Sequence, residues 1–253
     1  MTLLAQGKSV SQLDASISVF VNGFAHRWWI LDEIVSFAEC SQLIKGGLFL
    51  TVFFYLWFHS KEEAGKAEVT EKRSILLHTL LVCIPGIIVI RALALLLPFR
   101  PRPLFNPALH LRLAAGFNPY NFATWSSFPS DHAFLFFALA TGMFLVNRKI
   151  GYFLYLYAAL FIALPRLFLG IHYASDLAVG GLFGMGTAST ANWARLRSWI
   201  TRPAWRLQEL SPGVFYGSLF FISIETAELY LPLWAAAHGT WKLIQLLQIL
   251  VRR

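Results

Sequence analysis

Three short stretches of this chain hold the residue types that phosphoryl transfer uses. The first is FRPRP, Phe99 to Pro103, with Arg91 a little upstream. The second is SFPSDH, Ser127 to His132, and the third is PRLFLGIHYASD, Pro165 to Asp176. A phosphoryl group carries up to about two negative charges, and its transition state spreads charge over the equatorial oxygens. Guanidinium forks match that geometry with paired hydrogen bonds, which makes Arg100, Arg102 and Arg166 candidates. Ser130 stands where a helix should begin, so its hydroxyl can cap that helix or bind an oxyanion. The free N–H groups of residues 131–133 point the same way. His172 and Asp176 are four apart and share one face of a helix. A carboxylate bonded to one imidazole nitrogen fixes the tautomer and raises the nucleophilicity of the other. His172 is therefore the candidate nucleophile, forming phosphohistidine. His132, on a different helix, is the candidate to protonate the leaving oxygen and then to activate water.

These stretches must be brought together by the elements around them, and those elements read as membrane spans. Of 253 residues, 57% are hydrophobic and 13% charged, with a mean hydropathy of +0.58. A soluble domain carries about twice that charged fraction. Residues 14–36 mix apolar and polar types at helical spacing and predict an amphipathic helix in the interface, with Trp28 and Trp29 at headgroup depth. Spans are expected at about 37–58, 75–97 (interrupted by Pro85-Gly86), 131–147, 150–168, 172–192 and 212–232. Lys45 lies inside the first of them, and can snorkel or face the bundle. Gly180, Gly181, Gly184 and Gly186 suit close helix packing in the fifth. Residues 59–74 predict a charged loop, 99–130 a long functional loop, and 193–211 a basic interfacial segment. The tail at 233–253 is apolar enough to lie in the interface or to re-enter. The expected fold is thus an all-α integral membrane bundle of about six transmembrane helices, one domain over 1–253, with its catalytic core at 75–192.

Charge orients the bundle. Loops 59–74, 147–150 and 192–211 hold ten Lys and Arg, whereas loops 99–130 and 166–171 hold four. The positive-inside rule puts the first face in the cytoplasm and all three reactive stretches on the outer face. Nothing before residue 15 reads as a cleavable signal, because the segment lacks an apolar core.

Together the three stretches resemble the type 2 phosphatidic acid phosphatase (PAP2) superfamily, which shares its site with vanadium haloperoxidases. That family's pattern is KxxxxxxRP, then PSGH, then SRxxxxxHxxxD. Arg166, His172 and Asp176 match the third motif with its spacing, and Pro129, Ser130 and His132 match the second. The resemblance covers about residues 85–185. It implies that His172 is the nucleophile, Asp176 its orienting partner and His132 the general acid. It also implies that Ser130, Arg166 and an arginine of the first stretch bind the phosphate. Three positions depart from the pattern: Asp131 replaces Gly, Pro165 replaces Ser, and Leu95 stands seven before Arg102 where Lys is expected. Arg91 is the nearest upstream cation, but its register suits a phosphate role only if Pro98 breaks the helix. Asp131 resembles a variant in bacterial undecaprenyl-diphosphate phosphatases of the bacitracin-resistance type, which also share the short amphipathic start. With Asp131 counted in the phosphate-binding set, the resemblance implies a polyprenyl diphosphate substrate. A phospholipid phosphomonoesterase is the alternative.

Other readings weigh less. The net charge of +8 and pI near 9.7 could suggest nucleic acid, but the basic residues sit in short loops between apolar runs and no nucleic-acid motif accompanies them. Cys40 and Cys83 lie in apolar stretches without metal spacing and read as buried small hydrophobes. No cofactor or metal is expected, since arginines supply the positive charge and no carboxylate cluster is present to hold Mg²⁺. A transporter would explain intramembrane charge but not paired His and Arg clusters on one face. A non-catalytic relative would not need His132, His172 and Asp176 together. His26, His59, His78, His110 and His238 carry no motif and read as structural, whereas Glu225 and Glu228 remain open between function and structure.

Overall fold

The computed structural model describes residues 10–59 and 65–230. Their regular structure is entirely helical, in the order α1 (Gln12–Asn22), α2 (Trp29–Cys40), α3 (Leu48–Phe58), α4 (Lys66–Leu96), α5 (Asp131–Val146), α6 (Arg148–Ala158), α7 (Leu164–Phe168), α8 (Ala174–Ser189), α9 (Ala194–Leu210) and α10 (Pro212–Ala227). Two π-helical segments, Leu43–Gly47 and Ala159–Ala163, lead into α3 and α7. The tail expected at 233–253 lies outside the described residues, as does the end of the sixth span.

Among the described residues, two helical stretches are long and apolar enough to cross a membrane: Lys66–Leu96, and Arg148–Phe168 formed by α6, its π segment and α7. A third qualifies if α2 and the Leu43–Phe58 stretch are taken as one span, and these two are bent against each other by 65°. α5 is a shorter apolar helix. Two boundaries differ from expectation. α4 starts at Lys66, inside the expected loop, where Lys72 bonds Glu68 one turn earlier at 2.5 Å. It also runs unbroken through Pro85-Gly86, where the ring of Phe134 packs directly onto Gly86. Membrane helices tolerate proline because neighbouring elements compensate for the lost backbone bond.

The N-terminal segment is two helices rather than one. α1 stops at Asn22, and His26 takes a positive φ of 61° in the connection. The polar faces of both helices point inward. Asp14, Ser18 and Asn22, one turn apart, are buried in α1, while Leu13 and Phe20 are each 71% exposed. In α2, Asp32, Ser36 and Glu39 are buried, while Trp29, Ile30, Ile34 and Phe37 are exposed. That inversion is favourable where lipid, rather than water, covers the outer surface. The inward polar groups hold the 99–130 loop. Asn22 donates to the carbonyls of Phe168 and Arg112 and accepts from the Arg112 N–H, and Asp32 accepts from the Ala115 N–H.

α5 forms the centre, packed against α4, α6 and α8. Its contact with α8 depends on missing side chains: a Cβ at Gly180 would strike the Ser130 carbonyl, and one at Gly184 the Phe134 carbonyl. Backbones approach this closely only where small residues line the contact. Gly186 has open space around its Cβ position, so it takes no part in this packing. Cys83 is buried as expected, whereas Cys40 is exposed on the apolar outer face.

Candidate active site

Main-chain hydrogen bonds bind the three sequence stretches to one another. The Ser127 N–H donates to the Arg100 carbonyl (3.0 Å), Leu104 to Gly170 (2.9 Å) and Ser130 to Asp176 (3.2 Å). After α7 the chain reverses through Gly170, whose φ of +66° favours glycine. The reversal lets the N–H groups of Ile171 and His172 both donate to the Arg166 carbonyl. His172 thus hangs from the residue that the third stretch contributes as a cation.

His172 lies before α8, not within it, so it does not share a helix face with Asp176 as expected. Its Nδ1 meets the Ser127 carbonyl at 2.7 Å, whereas Asp176 Oδ2 is 3.7 Å away. The carbonyl can only accept, so Nδ1 carries the proton and the lone pair sits on Nε2. Asp176 is occupied elsewhere. Its Oδ2 accepts from the Tyr173 N–H (2.8 Å) in a capping box that starts α8, and its Oδ1 accepts from Arg100 Nη1 (2.5 Å). The carboxylate therefore sets the turn carrying His172, and the carbonyl sets the tautomer.

Arg102 faces the free nitrogen. Its Nη1 lies 3.3 Å from His172 Nε2 and donates to the Ile171 carbonyl (3.0 Å), while its guanidinium covers the Phe122 ring. Burial, reinforced by the neighbouring Arg166 charge, pushes Arg102 down to about 10, which leaves it cationic at neutral pH. Arg166, only 1% exposed, donates from Nη2 to Glu39 Oε1 at 2.5 Å, and its Nε has no hydrogen-bond partner. Ser130 caps α5 by accepting from the Ala133 N–H (3.3 Å), so the capping alternative is the one observed.

Three predicted phosphate ligands have other partners. Arg100 is clamped by Asp14 (2.7 Å), Asp176 and Ser175 (2.9 Å), and stacks over Tyr173. Burial alone would raise the Asp14 carboxyl, but hydrogen bonds from Ser175 and from Arg100 outweigh it and hold it below the usual value. Asp131 contacts no cation of the Arg102–Arg166 pair directly; it accepts from the His132 N–H and from His132 Nδ1, both at 2.8 Å. Arg91 reaches Asp131 Oδ2 at 3.8 Å and donates to the Leu229 carbonyl. A carboxylate repels phosphate, so Asp131 serves His132, and Arg91 joins the site through Asp131. Sequence reasoning missed Glu39, Asp14 and the Ser127 carbonyl. Each is a partner from a distant stretch, and the one local signal was the cost of placing an acid beside exposed apolar residues. Among the described residues, no three His, Cys, Asp or Glu stand together as a metal site would require.

The model of the PAP2 superfamily matches residues 80–200. Over that segment the chain is similar to the PAP2 superfamily. The matched segment holds all three stretches, from α4 to α9. Among the similar proteins, "Bacitracin transport permease protein BcrC" of Bacillus licheniformis is 40% identical over 68 residues, which are 27% of this chain and 33% of that protein. The match thus spans about a third of that relative's length. "Undecaprenyl-diphosphatase BcrC" of Bacillus subtilis (strain 168) is 29% identical over 159 residues, 62% of this chain and 71% of that one. The crystal structure of Aquifex aeolicus LpxE superposes with a TM-score of 0.52 at 22% identity, over 74% of this chain and 98% of that one. At that identity the likeness shows a shared fold alone.

Proposed function

We propose that this protein is a metal-independent membrane phosphatase of the PAP2 superfamily that hydrolyses a lipid diphosphate, a polyprenyl diphosphate such as undecaprenyl diphosphate, to the monophosphate. The observation that carries this reading is the arrangement at His172: Nδ1 is tied to the Ser127 carbonyl, and Nε2 is left beside the Arg102 guanidinium. Nε2 attacks the terminal phosphorus, the P–O bond to the leaving group breaks, and phosphohistidine forms. Arg102 and Arg166 take the charge of the equatorial oxygens. His132, its Nδ1 bonded to Asp131, supplies a proton to the leaving oxygen. It then takes one from the water that attacks phosphohistidine, releasing orthophosphate and restoring His172. Ser130 caps α5 beneath this site, and Asp176 and Arg100 brace the turn that holds His172.

The apolar outer surfaces of α1 and α2 support a lipid-surrounded protein, and a six-span bundle in the inner (plasma) membrane extends that reading. The ten-to-four asymmetry of Lys and Arg favours a site on the outer side, where headgroups meet the loop at 99–130. The polyprenyl assignment draws on the likeness to the Bacillus subtilis relative and on the Asp131–His132 pair. Phosphate release from undecaprenyl diphosphate, phosphatidic acid and phosphatidylglycerol phosphate, assayed in one detergent, tests it. We expect the diphosphate to have the highest kcat/KM, and His172→Ala to lower turnover by roughly a thousandfold or more in a folded protein. Preference for a glycerolipid sinks the substrate assignment, and a His172→Ala variant that keeps a few per cent of activity sinks the nucleophile.

A further inference from the structure

We infer that Lys45 is a specificity-determining cation of this site, binding the second phosphate of a diphosphate headgroup. The inference rests on the phosphatase reading above. Lys45 lies in the π-helical segment Leu43–Gly47, at the bend between α2 and α3. A π segment re-aims the side chains it carries, and such segments recur at functional sites. The residue is 4% exposed, so its ammonium has little water around it. Its nearest carboxylate oxygen, Glu39 Oε1, is 3.8 Å away, beyond hydrogen-bond range. A buried ammonium with three donors is costly unless acceptors reach it.

The same Glu39 oxygen accepts from Arg166 Nη2. One oxygen therefore stands between two cations that would otherwise repel. Arg166 keeps a second donor, Nε, without a partner. The cluster is joined to the candidate site through Arg166, whose side chain bonds Glu39 and whose carbonyl accepts from the His172 N–H. Charge decides what such a cluster can take. Glu39 alone would cancel Arg166, leaving Arg102 as the one uncompensated cation beside His172. Lys45 restores a net positive charge beside the Arg166–Glu39 pair. A monoester needs only the cations around His172. A diphosphate brings a second anionic group, which Lys45, held by Glu39 only at 3.8 Å, and the Arg166 Nε–H, without a hydrogen-bond partner, can take.

The test is binding of inorganic pyrophosphate and orthophosphate to the detergent-solubilised full chain, by calorimetry, in unaltered protein, Lys45→Met and Lys45→Arg. Lys45→Met should weaken pyrophosphate at least tenfold more than orthophosphate, and Lys45→Arg should recover most of the difference. Equal weakening of both anions, or none, overturns the assignment. Should Lys45→Met not fold, Lys45→Gln carries the same comparison. Because binding needs no turnover, a chain that cleaves no phosphate ester would sink the phosphatase reading alone.

Discussion

The two ends of α4 use charge in opposite ways. The helix has 31 residues and so spans about 46 Å. Near its C-terminal end, Arg102, Arg166, Lys45, Glu39, Asp14 and Asp176 are all buried, and every one but Arg102 is paired with an opposite charge. Near its N-terminal end, Lys66, Glu71, Arg197, Arg202 and Arg206 line an open cavity of about 740 Å³ between α4 and α9. There the Arg197–Glu71 pair (2.9 Å) has its acid 59% exposed. Buried charges interact strongly and cost several kcal/mol each to desolvate, so they persist only where geometry satisfies them. Exposed ones are screened and orient the protein in the membrane. None of the residues of the candidate site lines this cavity.

The largest effect within this contrast is expected at Arg102. Arg102→Met keeps much of the side-chain volume over Phe122 but removes the guanidinium beside His172 Nε2. We expect kcat/KM to fall by roughly 10²- to 10³-fold, the scale of losing one transition-state donor in a buried site. Steady-state kinetics on any cleaved phosphate ester checks it. A loss under fivefold would mean that the buried end is structural.

How much of this was readable beforehand follows the same division. The three stretches and the start of α5 at Ser130 were legible, because local motif and capping chemistry specify them. The ion pairs around the candidate site were not. Glu39 and Arg166 are 127 residues apart, and Asp14 and Arg100 are 86 apart. Nothing local says which acid answers which arginine. Arg100 and Arg102 look equivalent in FRPRP, yet Asp14 and Asp176 claim the first and leave the second to His172. The amphipathic period of 14–36 was also legible, but not that its polar stripe faces the protein or that it breaks after Asn22. Periodicity gives a face; the surroundings decide which way it turns.

A middle effect is expected at Asp131→Asn, which keeps an acceptor near His132 Nδ1 but removes the charge shared with Arg91. Partners that orient a reacting imidazole typically contribute about 10- to 100-fold. The loss should be greater for a monoester than for a diphosphate, because an alkoxide leaving group needs the proton from His132 more than a phosphate does. Parallel kcat measurements on both substrates check this. Equal losses would make Asp131 a structural anchor for Arg91 and not a positioning residue for His132.

The smallest effect belongs to the exposed end. Arg197 donates to the Ala191 carbonyl (2.6 Å) as well as to Glu71, but both contacts lie beside the open cavity and far along α4 from His172. An exposed ion pair contributes about 0–1 kcal/mol to stability, less at high salt. Arg197→Gln shortens the side chain and removes both the pair with Glu71 and the bond to the Ala191 carbonyl. Activity should stay within about twofold and the unfolding free energy within about 1 kcal/mol. The double variant with Glu71→Gln should match the single one, because the remaining partner has water to replace what it lost. Kinetics and thermal unfolding at low and high salt are the checks. A tenfold loss of activity would show that charge at this end reaches the site along α4, and the contrast between a reactive buried end and an orienting exposed end would fail.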